Sequence, residues 1–245
     1  VDPKDRLIFA LDVPDKAGAR DYIERLRQEV GLFKVGLELF LAEGPQLVAE
    51  LANIVGAGRI FLDLKLYDIP ATILGATKAP VQGVAWITVP SDIGLSGLQK
   101  IAAHRAYKVL AVTVLTSVSG EDLRALGYEE RYAHDPKQLV LLRAKMAKEA
   151  GCRGVVCSGL EVAAVKAACG PDFLAVCPGI RPEWAAVPGD DQQRVVTPYQ
   201  AIKAGADYIV VGRPIRTAGD PVAAARRVAA EIGAALKALG GGPGT

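Results

Sequence analysis

Eight short apolar runs rich in β-branched residues recur along the chain, at residues 7–13, 32–35, 60–66, 85–89, 108–115, 154–157, 173–177 and 208–211. Stretches with helical spacing alternate with them, at 16–29, 38–53, 72–82, 95–103, 136–150, 160–168, 198–204 and 221–239. Apolar runs of this kind read as strands buried on both faces, and the helices between them fit the crossovers that parallel pairing needs. Neither a linker nor a shift in composition interrupts the series, and 245 residues suit one large domain. The pattern predicts a single (β/α)8 barrel over residues 1–239, in preference to an open doubly wound sheet. The remaining residues, 240–245, read as a flexible glycine-rich tail.

A barrel of this type draws its functional groups from the carboxyl ends of its strands. Residues 59–73, R-I-F-L-D-L-K-L-Y-D-I-P-A-T-I, place Asp63, Lys65 and Asp68 at the end of the third run, and Pro70 marks where the backbone leaves it. Strand alternation puts Phe61, Asp63 and Lys65 on one face and Leu62, Leu64 and Leu66 on the other. Desolvating an unpaired charge is costly, so Asp63 and Lys65 must meet each other, further charges or a ligand. A lone Asp-x-Lys fits a structural ion pair. With Asp68 added, the group becomes a cluster of unlike titration behaviour, as found where protons are moved. Asp12 closes the first run and Lys34 lies near the end of the second. In a barrel, Asp12, Lys34, Asp63 and Lys65 therefore project into one mouth.

The last two strand ends carry different chemistry, in V-C-P-G-I-R-P (176–182) and I-V-V-G-R-P-I (209–215). Loops after the seventh and eighth strands of such barrels often bind phosphate through backbone N–H groups. Gly212 permits close approach and Arg213 offers a planar, permanently charged fork, although a tight turn with a solvated arginine reads the same way. The aperiodic segment 181–196 has the length of a functional loop. Pro182, Pro188 and Gly189 suit a closing lid, Gln192 would donate to phosphate on closure, and Trp184 would pack the lid.

With 51% hydrophobic and 23% charged residues and a formal net charge of +2, nothing biases the chain globally towards nucleic acid or a membrane. Any anion site is local. No run approaches ~18 uninterrupted apolar residues, and V-D-P-K-D-R at the amino terminus lacks the features of a secretory signal, so the expected compartment is the cytoplasm. Cys152, Cys157, Cys169 and Cys177 form no Cys-x-x-Cys and read as reduced structural thiols. His104 and His134 have no metal-like spacing, which gives a zinc site little support.

The blocks F-A-L-D-V, F-K-V-G, D-L-K-L-Y-D-I-P, V-T-V-L-T-S, V-V-C-S-G-L-E, P-G-I-R-P, D-Q-Q-R-V-V-T-P and V-V-G-R-P-I resemble, in order, those of the orotidine 5'-phosphate decarboxylase family. The Asp-x-Lys-x-x-Asp block alone is shared across the superfamily; the whole series is specific. The resemblance implies decarboxylation of orotidine 5'-phosphate to uridine 5'-phosphate in pyrimidine biosynthesis, by a homodimer with no cofactor and no metal. It also implies an alternating array of Lys34, Asp63, Lys65 and Asp68, with Lys65 as proton donor and Asp68 reaching the partner subunit's site. By the same resemblance Asp12 and Lys34 hold ribose hydroxyls, Thr116 the pyrimidine ring, and Ile69 and Pro178 form apolar walls. Thr72 adds a contact across the interface, while Gln192, Gly212 and Arg213 bind phosphate with Arg181 nearby on the lid.

One block departs from the family. Where an Asn-x-His pattern and small residues are common after the fourth strand, this chain has Thr88-Val89-Pro90-Ser91-Asp92. The histidine is absent, yet no member of the charge array is lost. The rival within the superfamily is a magnesium-using 3-keto-gulonate 6-phosphate decarboxylase or hexulose-phosphate synthase. Such relatives are expected to have an acidic residue at the place of Lys34, where an ammonium would repel the cation. A sensor or scaffold that binds a phosphorylated metabolite without turnover is the rival from another class. Clustered buried charge argues against a pure binder.

Overall fold

The computed structural model describes residues 2–78, 81, 83–104, 106–185 and 195–240. Eight strands, β1 Leu7–Ala10, β2 Leu32–Gly36, β3 Ile60–Asp63, β4 Val84–Pro90, β5 Lys108–Val112, β6 Gly154–Val156, β7 Leu174–Cys177 and β8 Tyr208–Val211, pair in chain order. Each pairing is parallel, and β8 returns to β1 with Ile8 opposite Val210, which closes the barrel and sets aside the open sheet. The helices are α1 Lys16–Leu26, α2 Leu37–Val55, α3 Pro70–Thr77, α4 Leu95–Ala103, α5 Gly120–Ala125, α6 Glu130–His134, α7 Pro136–Glu149, α8 Val162–Cys169, α9 Pro198–Lys203, α10 Arg213–Arg216 and α11 Pro221–Gly240.

Local chemistry accounts for several boundaries. The Asp15 side chain accepts the Gly18 N–H to start α1, and capping boxes built on Ser119 and Thr197 start α5 and α9. Pro70 opens α3 at a position where its missing N–H is harmless. Other boundaries differ from the sequence expectation. β1 and β3 stop at Ala10 and Asp63, short of the apolar runs that contain them, so Lys65 does not lie on a strand. The short helices α5, α6 and α10 have too few turns to show a periodic stripe. The α11 helix reaches Gly240, the first residue of the expected tail, and 241–245 lie outside the described residues.

Consecutive strand residues are buried, as in Leu7, Ile8 and Phe9, because both faces of each strand are covered. Ile8, Leu32, Phe61, Trp86, Leu110 and Val176 fill the barrel interior. There Trp86 meets Phe61 edge-on at 5.8 Å and Tyr208 at 4.7 Å between ring centroids. Leu62 instead joins the larger core between strands and helices, so Phe61 and Leu62 divide between faces as alternation predicts.

The amino-terminal end of the barrel is tied by charge. The Arg59 guanidinium donates to the carbonyls of Gly31 and Arg27 at 2.9 Å and of Val55 at 3.2 Å. Lys166 Nζ reaches the Pro171 and Phe173 carbonyls at 2.9 Å and Asp207 Oδ2 at 2.6 Å. All four cysteines are buried and unbridged. Burial pushes the Cys152 thiol up to about 12. A hydrogen bond with Cys157, together with burial, raises Cys177 well above its ordinary value.

Candidate active site

Three adjacent strands assemble a row of charges of alternating sign. Ala10 pairs with Lys34, Lys34 with Phe61, and Gly36 with Asp63, which brings Asp12, Lys34 and Asp63 to one rim. Lys34 Nζ lies 3.0 Å from Asp12 Oδ1 and 3.9 Å from Asp63 Oδ2. Lys65 Nζ lies 2.9 Å from Asp63 Oδ1 and 3.0 Å from Oδ2. Side-chain exposure is 13% for Lys34 and 14% for Asp63, against 34% for Lys65 and 47% for Asp12. The middle of the row is thus fixed by its neighbours while its ends remain accessible. Gly36 leaves room for the row, since a Cβ there would stand 2.9 Å from Lys34 Nζ and displace the ammonium.

Lys65 enters the row by an unusual backbone route. It is the non-glycine residue with positive φ, +47°, among the described residues. That conformation costs on the order of 1–3 kcal/mol and persists only where the surroundings enforce it. Part of the enforcement comes from Thr88, completely buried on β4. Its Oγ1 accepts the Lys65 backbone N–H at 2.9 Å and donates to Asp63 Oδ1 at 2.9 Å. Sequence reasoning assigned Thr88 only to a departure from a family pattern. The signal that finds it is period-two spacing from inward-facing Trp86, which turns Thr88 to the same side.

The row forms one wall of a cavity of about 320 Å3 at the carboxyl ends of the strands. Asp12, Lys34, Asp63, Lys65, Thr116, Pro178, Arg181, Gly212 and Arg213 all line it, so nine of the sequence-predicted site residues converge. Gly212 matters sterically: a Cβ there would stand 3.2 Å from Ala10 Cβ and 3.4 Å from Asp12 Oδ2. Asp68, Ile69 and Thr72 are exposed and do not line the cavity; Asp68 Oδ1 accepts the Ile69 N–H at 2.6 Å. Gln192, Pro188 and Gly189 lie outside the described residues. Trp184 packs against α11, with Nε1 donating to Glu231 Oε1 at 2.8 Å and its ring under the Arg227 guanidinium.

Arg216 was not anticipated. It lines the cavity from α10, and its Nε is buried without a hydrogen-bond partner among the described residues. With Lys34, Lys65, Arg181 and Arg213 it makes five cationic residues in the lining, against the carboxylates Asp12 and Asp63. Such an excess of positive charge suits an anionic ligand carrying more than one negative group. An ammonium held against a carboxylate at the wall can stabilise a developing anion and supply it with a proton. Among the described residues no three His, Cys, Asp or Glu side chains converge as a metal-binding group.

Residues 5–228 match the family described as Orotidine 5'-phosphate decarboxylase / HUMPS. The orotidine 5'-phosphate decarboxylase of Desulfosudis oleivorans is 47% identical over 238 residues, covering 96% of each chain. That of an Anaeromyxobacter species is 49% identical, over 94% of this chain and 99% of its own. The crystal structure of the orotidine 5'-phosphate decarboxylase of Lactobacillus acidophilus superimposes with a TM-score of 0.78 at 34% identity, covering 92% of this chain and 98% of its own.

Proposed function

Since the chain belongs to the Orotidine 5'-phosphate decarboxylase / HUMPS family, we propose that it converts orotidine 5'-phosphate to uridine 5'-phosphate and carbon dioxide, with Lys65 delivering the proton to C6. The observation that carries this reading is the Lys65 ammonium held by both oxygens of Asp63 at the cavity wall. Breaking the bond from C6 to the carboxylate leaves its electron pair on C6, in the ring plane, where the π system cannot accept it. A fixed ammonium stabilises that pair and then protonates it; the resulting amine regains a proton from solvent. Asp63, beside the departing carboxylate, holds Lys65 in place and disfavours the charged ground state.

In this reading Asp12 and Lys34 hold the ribose, Thr116 the pyrimidine, and Pro178 an apolar wall. Gly212 and Arg213 bind the phosphate, with Arg181, Gln192 and the unanticipated Arg216 around it. The substrate carries a carboxylate and a phosphate, and the cationic excess of the lining favours that charge. Phosphate binding far from C6 supplies the energy that orders the reacting end.

Asp68, Ile69 and Thr72 act across a homodimer interface in this reading. They are exposed and off their own chain's cavity, and large apolar side chains are exposed nearby on the adjacent barrel sector: Leu37, Leu41 and Tyr67. A second copy would cover these and bring Asp68 to the far side of Lys65, extending the alternation of sign. The proposed compartment is the cytoplasm. Four unbridged buried thiols fit a reducing environment, and no helix among the described residues is long and apolar enough to cross a membrane.

The magnesium-dependent branch of the same family is the second reading. Here the Lys34 ammonium, 3.0 Å from Asp12 and 3.9 Å from Asp63, repels a divalent cation from those carboxylates. The deciding experiment follows orotidine 5'-phosphate turnover by ultraviolet absorbance with and without a metal chelator. Chelator-resistant turnover is expected. Silence towards the nucleotide, with magnesium-dependent activity on a sugar phosphate, would move the chain to the other branch.

A further inference from the structure

Thr88 touches both halves of the Asp63–Lys65 pair without touching the cavity. Its side chain is completely buried and is not part of the cavity lining. The direction of its two hydrogen bonds is unambiguous. A carboxylate only accepts and a backbone N–H only donates, so the single hydroxyl proton goes to Asp63 Oδ1 and a lone pair receives the Lys65 N–H. The Thr88 carbonyl extends the same strand edge by accepting the Leu66 N–H at 3.0 Å. Asp63 Oδ1 is therefore shared between the Thr88 hydroxyl and Lys65 Nζ, which fixes the rotation of the carboxylate. The Lys65 backbone is held at its strained φ from the other side of the same hydroxyl.

We propose that Thr88 is a positioning residue: its hydroxyl sets the orientation of Asp63 and the left-handed turn at Lys65, and so aims the ammonium at the reacting carbon. This gives a role to the segment where the family's Asn-x-His pattern is missing. The proposal rests on the assignment of Lys65 as proton donor. A side chain that never meets substrate acts on the chemical step, because misplacing a reacting group by about 1 Å can slow turnover by ~100-fold without altering the binding contacts.

The test compares Thr88→Val, Thr88→Ser and Lys65→Ala with the wild-type chain in steady-state kinetics on orotidine 5'-phosphate. Thr88→Val keeps the shape and removes the hydroxyl; kcat and kcat/KM should fall together by roughly 10- to 100-fold, with KM within about threefold. Thr88→Ser restores the hydroxyl and should recover most of the rate, which a packing role for the methyl group would not allow. Unchanged kcat in Thr88→Val, or an equally slow Thr88→Ser, overturns the proposal. So does a raised KM with kcat intact. If Thr88→Val fails to fold, Thr88→Ser against Thr88→Ala isolates the hydroxyl, and equal rates in that pair are fatal to it. Wild-type turnover in Lys65→Ala brings down the proton-donor assignment itself, a failure distinct from an inert Thr88.

Discussion

Lys65 and Lys166 are both lysines pressed against an aspartate, one at each end of the barrel, and they serve opposite ends. Lys166 gives its three donors to the Asp207 carboxylate and to the carbonyls of Pro171 and Phe173. Its hydrogen-bonding capacity is spent on protein, and the Asp207 carboxylate also takes the Ala175 N–H. Lys65 directs its two protein contacts to one carboxylate, in a strained backbone conformation at the wall of a cavity. Two ion pairs of similar length therefore mean different things. What separates them is where the cation's remaining donors face and whether the backbone is distorted to place it.

The strongest way to break the comparison is Lys65→Ala, expected to lower decarboxylation by about 10⁴-fold or more while uridylate binding and thermal stability stay near wild type. Retained turnover would put Lys65 in the same structural category as Lys166. Next in size is Arg213→Ala, which removes a charged hydrogen-bonding fork worth about 1.5–3 kcal/mol. Phosphorylated ligands should bind roughly 10- to 100-fold more weakly. Calorimetry with the unphosphorylated nucleoside supplies the contrast, and an equal loss there ends the phosphate assignment.

Lys166→Met sharpens the comparison from the opposite side. It strands Asp207 and two carbonyls, and should lower unfolding stability by about 2 kcal/mol, less than for a fully buried pair because both side chains keep some solvent contact. The folded variant should keep the wild-type kcat; a slowed chemical step would mean that the two ends of the barrel are coupled. The smallest effect concerns the thiols. Cys152 is held protonated by burial, and Cys177 by its hydrogen bond with Cys157 together with burial, so an alkylating reagent at neutral pH should label neither until the chain unfolds. Mass spectrometry of the native protein checks this, and rapid labelling of Cys152 would contradict its burial.

The eightfold alternation was enough to specify a closed parallel barrel, because strands buried on both faces and linked by helices have few other ways to hide their edges. Asp12, Lys34 and Asp63 were legible for a related reason: charged residues closing apolar runs stand out against their neighbours. Lys65 was legible as a residue but not as a conformation. Strand periodicity extended the third strand through Leu66, whereas the strand ends at Asp63 and turns at Lys65. Nothing in a single sequence marks a left-handed lysine, since its stabilising bond comes from Thr88 on another strand.

Sequence by itself determined the composition of the site: two lysines and two aspartates near the ends of the first three strands, and a Gly-Arg pair after the eighth. Tertiary structure decided which of them meet. It drew nine of the predicted residues into one cavity and left Asp68, Ile69 and Thr72 outside it. It also added Thr88 and Arg216, whose roles depend on partners distant in the chain. Local periodicity is written in neighbouring residues. Hydrogen bonds and charge contacts between strands depend on register and closure, and those exist only once the barrel has formed.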